Sequence, residues 1–127
     1  MNYGISKTLS LPFEEAVQKV TNELMKEGFG VLTTIDVKET LKKKLDVDFN
    51  KYLILGACYP QFAYEALLVE EQIGLLMPCN VIIYEKEGKT IVAGFNPMTI
   101  SYISANDKLR ELSARLNEKM YKVIESL

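Results

Sequence analysis

Two periods of apolar residues run through the chain, and each marks a kind of element. Asn2 to Leu9 alternates weakly, with Tyr3, Ile5 and Lys7 on one side, which predicts a strand at or near a sheet edge. Ser10-Leu-Pro-Phe-Glu-Glu then opens a helix. Pro12 suits the first helical position, and Glu14 and Glu15 suit the positive helix N-terminus. Phe13, Val17, Val20 and Leu24 recur at helical spacing, and Gly28 supplies the left-handed residue that ends the helix. Phe29, Val31, Thr33 and Ile35 alternate as one face of a second strand. Asp36-Val-Lys-Glu39 has the form of a capping box, followed by Val37, Leu41 and Leu45 on a short helix.

Tyr52 to Ala57 is almost wholly apolar and reads as a central strand buried on both faces. A helix from Pro60 to about Val69 follows, with Ala63, Ala66 and Leu67 inward. Asn80 to Glu85 and Thr90 to Phe95 form a hairpin about Glu87-Gly88-Lys89. Met98 to Ile103 fits either strand or helix. Ser104-Ala-Asn-Asp107 is a second capping-box pattern, and Leu109, Leu112, Leu116, Met120, Val123 and Leu127 keep helical spacing to the end. The order is β-α-β-α-β-α-β-β-α. The hairpin argues against a purely parallel sheet, so the expected fold is α+β in two layers, a mostly antiparallel sheet with helices packed on it. No linker, repeat or Gly-rich phosphate loop interrupts it, and residues 1–127 read as a single domain.

Composition narrows the chemistry. Among 127 residues there is no histidine, which removes Ser-His-Asp and Cys-His catalysis, His-ligated metal and imidazole switching. Fifteen basic against seventeen acidic side chains give a net charge of −2, a poor match to a nucleic-acid backbone. No apolar run approaches the roughly 20 residues of a membrane helix. The first ten residues lack the apolar core of a signal peptide, so the expected compartment is the cytoplasm, where thiols stay reduced.

The two cysteines stand out by position. Cys58 lies between the apolar strand and the helix at Pro60, where Cys58 or Tyr59 is the N-cap. A capping thiol faces free amides and the helix dipole, which favour the thiolate. Cys79 sits between Pro78 and a strand start. One reading makes both packed, hydrophobic thiols. The other brings them together in a shared site. The lysines at 38, 42, 43 and 44 read either as an anion site or as a solvated helix face relieved by Asp46 and Asp48. Asp36 reads as a cap, with a Lys44 ion pair as the other role. Tyr59, Phe62 and Tyr64 crowd the Cys58 junction, either as core or as the lining of a flat-ligand pocket.

Four segments together resemble a known family: Gly28-Phe-Gly-Val-Leu-Thr-Thr-Ile-Asp36, Thr40-Leu-Lys-Lys-Lys-Leu45, Leu55-Gly-Ala-Cys-Tyr-Pro60 and Gly74-Leu-Leu-Met-Pro-Cys-Asn80. They are similar to domain-of-unknown-function family number 302, over nearly the whole chain. The resemblance implies a TATA-binding-protein-like α+β arrangement, often dimeric, and no particular activity. It places the family's patterned positions on Asp36, Lys44, Cys58, Pro60, Pro78, Cys79 and Asn80. The family usually carries asparagine where this chain has Tyr59, which bears on any polar ligand there.

The expected function is therefore a small binding domain with its site at the Cys58/Cys79 junction, joined by Asn80, Lys44, Asp36, Pro60 and Pro78. Its ligand is a soft metal held by Cys58 and Cys79, a sulfur-containing small molecule or a cofactor fragment. With only two thiols, zinc needs carboxylate or water, or a second chain, to complete the site. A thiol-redox protein, with Cys58 attacking and Cys79 resolving, is the alternative. The third reading is a structural or regulatory homodimer with packed cysteines. A homodimer is expected because Val123, Ile124, Leu127 and the Met98 to Ile103 stretch offer apolar surface. Neither a nucleic acid nor a membrane is an expected partner, and whether there is catalysis stays open.

Overall fold

A computed structural model describes residues 2–127. Five strands form one antiparallel sheet in the order β1-β5-β4-β3-β2. They are β1 (Gly4–Leu9), β2 (Gly30–Asp36), β3 (Tyr52–Cys58), β4 (Cys79–Lys86) and β5 (Lys89–Phe95). The helices are α1 (Phe13–Lys26), α2 (Val37–Leu45), α3 (Pro60–Val69), α4 (Thr99–Ile103) and α5 (Asp107–Glu125), with a 3-10 helix at Glu71–Leu76. The expected α+β order holds, and the ambiguous stretch after Pro97 is the short helix α4. Among the described residues no helix is long and apolar enough to cross a membrane.

β1 and β2 lie at opposite edges, so α1 carries the chain across the whole sheet. One sheet face is buried with α1, α3 and α5. Val20, Leu24, Phe29, Val81, Ile83, Val92, Leu109 and Met120 make the centre of that core. Gly94 lets α5 approach β5, because a Cβ there would sit 2.7 Å from Met120 Sδ. Lys7 on edge strand β1 donates to the carbonyls of Glu125 and Leu127, at 3.2 and 2.5 Å. It thus supplies donors and positive charge to the carbonyl end of α5.

The local signals mostly act as expected, with shifts of a residue or two. Pro12 is the cap of α1 rather than its first residue, and its carbonyl accepts from the Ala16 amide. Gly28, at φ 93°, follows the end of that helix. Asp36 accepts from the Glu39 amide at 3.0 Å, while the Glu39 carboxylate turns outward to Lys43. Asn106, not Ser104, caps α5 by accepting from Leu109 N. Glu87 and Gly88, both at positive φ, make the two-residue β4–β5 turn.

Three expectations are corrected by packing. β3 lies next to edge strand β2, and only Leu55, Gly56 and Ala57 of it are buried, so it is not sealed on both faces. α2 buries none of its residues, although Val37, Leu41 and Leu45 have helical spacing. α3 turns Phe62 and Ala66 inward and leaves Leu67 exposed.

Candidate functional site

The end of the sheet where β2, β3 and β4 meet holds an apolar cavity of about 270 Å³. It is built by local events on separate segments. β2 carries a bulge between Val31 and Thr33. Val31 pairs with Ala57 and Thr33 with Gly56, adjacent positions on β3, so the two side chains leave on opposite faces. The simple alternation of Phe29, Val31, Thr33 and Ile35 fails there. The extra residue, Leu32, is left exposed against the cavity. Gly56 is required because a Cβ would collide with Thr33 and lie 2.9 Å from Pro78 Cγ.

α3 begins at Pro60, and Tyr59 holds its cap position without a side-chain hydrogen bond. Of the two expected cap candidates the cap is therefore Tyr59, and Cys58 is the last residue of β3. Phe62 and Ala63 on the first turn of α3 form one wall, and Leu116 of α5 closes it. Met77, Pro78 and Cys79 form the opposite wall, with a cis Met77–Pro78 peptide. Tyr59 packs edge-on against Phe29, with ring centroids 5.5 Å apart. Gly28 makes room for that ring, since a Cβ there would lie 2.9 Å from Tyr59 Cε2.

Both cysteines are free thiols and both line this cavity. They do not form a pair. Cys79 pairs with Ala57, one residue short of Cys58, so strand alternation sends the two side chains out on opposite faces. Cys79 is buried, and burial, with a smaller contribution from Cys58, pushes its thiol up to about 12. Among the described residues no group of three or more His, Cys, Asp or Glu side chains is placed to hold a metal ion. The expected two-thiol metal centre therefore finds no third ligand among the described residues.

The remaining candidates scatter. Asn80 pairs with Gly56 and lines a shallow groove with Tyr3, Ile82 and Phe95, away from the cysteine cavity. Pro60 starts α3 without lining the cavity. Asp36 ends β2 and caps α2, and Lys44 lies on α2. Two of the four lysines there are paired outward, Lys42 with Asp46 and Asp48 and Lys43 with Glu39. Asp36 is occupied by its cap, and no Asp36–Lys44 ion pair occurs among the described residues. Of the seven candidates, Cys58, Pro78 and Cys79 line one cavity. Sequence reasoning missed Leu32, Met77 and Leu116. A bulge, and a cavity wall supplied by Leu116, 58 positions after Cys58, leave no local signal.

The domain-of-unknown-function family DUF302 matches residues 5–127. Among solved structures, "Crystal structure of uncharacterized conserved protein DUF302 from Bacillus stearothermophilus" superposes with a TM-score of 0.91 at 25% identity, covering 98% of each chain. No curated protein matches the chain. A family match over all but the first few residues, together with a fold shared end to end, makes this chain a member of the DUF302 family.

Proposed function

We propose that the chain is a binding domain whose site is the cavity at the ends of β2, β3 and β4. The observation that carries this reading is the convergence of Leu32, Phe62, Met77, Pro78 and Leu116 around a half-open apolar space of about 270 Å³. Close packing normally leaves few voids larger than a water molecule. An apolar lining offers water few partners, so a small apolar group gains by replacing it. The lining favours binding over thiol exchange. Cys79, with its thiol pushed up to about 12, stays protonated near neutral pH and is a poor resolving nucleophile.

Titration with 1-octanol by calorimetry tests the reading. Saturable binding is expected, and Ala63→Phe, which fills the cavity from α3, should abolish it. Binding that survives Ala63→Phe would place the ligand elsewhere.

A second reading, homodimerisation, is favoured by one corner of the molecule. α3 is apolar on both sides: Phe62 and Ala66 point inward, while Tyr64, Leu67 and Leu68 face solvent. Ser104 donates to Glu70, and Asn106 donates to the Val69 carbonyl, which draws the end of α4 beside α3. Tyr102 and Ile103 there, and Leu75 of the 3-10 helix, are exposed as well. At roughly 100 Å² or more for each large side chain, the patch approaches the roughly 800 Å² that one partner contributes to a stable interface. The occupant proposed is a second copy of the chain. The surface keeps Tyr102 and Ile103 of the expected one and loses the rest, because Val123, Ile124 and Ile100 are core residues. Sedimentation at micromolar concentration should show a dimer, and Leu68→Glu should make it a monomer.

A further inference from the structure

Beside the apolar cavity lies a second, smaller cleft of about 130 Å³. The two share three walls, Tyr59, Phe62 and Leu116. The second cleft differs in chemistry. Arg115 and Lys119, one turn apart on α5, reach into it, opposed by Glu65 of α3. Lys119 stands over the Tyr59 ring, its Nζ 5.3 Å from the centroid, and has no carboxylate partner among the described ion pairs. Arg115 is held 3.2 Å from Glu111, so it is oriented while still more than half exposed. In a chain of net charge −2, two cations therefore line a cleft that shares the Tyr59, Phe62 and Leu116 walls with the apolar cavity.

We infer that the ligand of the site is an amphipathic anion, a medium-chain carboxylate whose tail fills the cysteine cavity and whose head group meets Lys119 and Arg115 over the Tyr59 ring. This rests on the binding reading above and deepens it. Size sets the tail. At about 30 Å³ for each water-sized unit, 270 Å³ accommodates a chain of roughly six to eight carbons. Charge sets the head. A carboxylate at the rim receives charge-assisted hydrogen bonds while staying solvated, which avoids burying a charge. Tyr59 is the hinge of the arrangement: its ring face carries the cation, and it borders both spaces. An asparagine at this position would provide neither the ring under Lys119 nor the same partition.

Calorimetric titration of the intact protein with octanoate and with 1-octanol tests this, both below micellar concentration. Octanoate should bind about tenfold more tightly than octanol, the scale of one charge-assisted contact. Arg115→Gln combined with Lys119→Gln should remove that advantage and leave octanol within about twofold of its original affinity. Glu65→Gln should tighten octanoate alone. Equal affinity of the two ligands in the unaltered protein, or an octanoate preference indifferent to the double substitution, overturns the anion assignment while the cavity reading stands. If neither ligand binds, the cavity reading fails and this inference fails with it.

Discussion

Helix α2 and the β3–α3–β4 corner both carry concentrated side-chain chemistry, and their surroundings differ. α2 gathers four lysines on nine helical residues, yet it buries nothing, and its neighbouring acids pair with the amines in solvent. The corner offers two thiols and a proline turn on segments twenty residues apart. There the antiparallel register, a bulge and helix α5 shape a half-open apolar space beside them. Clustering along the chain made a solvated surface, and convergence through topology made a cavity. Exposed ion pairs contribute little to stability, whereas a wall of a cavity contributes through every contact it makes.

The largest difference should appear under truncation. Phe62→Ala removes a buried wall and is expected to cost about 3 kcal/mol in denaturant unfolding. A cost near zero would mean that the corner is not packed as described. Alkaline pH should separate the regions next. Cys79 holds its proton up to about 12 in the folded protein, while an unfolded thiol loses it near 9. The unfolded state thus binds fewer protons between those values, and stability falls as pH rises through them. The slope should be about 1 kcal/mol per pH unit between about pH 9.5 and 11, and Cys79→Ala should flatten it. On α2, Asp36→Ala should cost only about 1 kcal/mol through the lost cap. Lys44→Gln should leave the unfolding midpoint unchanged, and a clear loss of stability there would show that α2 makes contacts its exposure does not suggest.

The sequence disclosed what is encoded within a few residues. Helical spacing located α1 and α5, Glu87-Gly88 located the hairpin, and the Asp36 cap marked the start of α2. Strand order was not encoded that way, because β1 and β5 pair across more than eighty positions. The candidate site was half visible. Cys58, Pro78 and Cys79 were legible as residues at element junctions. The bulge at Leu32 breaks the alternation without leaving a glycine or proline behind, and Leu116, Arg115 and Lys119 read as ordinary positions of an amphipathic helix. Their role exists only because α5 packs against α3. The dimer expectation drew on Val123 and Ile124, whose apolar character serves the core instead.

The central claim is that the space beside Cys58 receives a ligand, and the Cys58 thiol can report on it. Cys58 is partly accessible and Cys79 is buried with a strongly raised thiol, so iodoacetamide should modify Cys58 first in the native protein. Labelling rate measured against 1-octanol concentration, with the site assigned by mass spectrometry, is the most direct test. Octanol should protect Cys58 progressively, with a midpoint equal to its calorimetric dissociation constant. A Cys58 labelling rate unchanged at saturating octanol would contradict a ligand in this cavity.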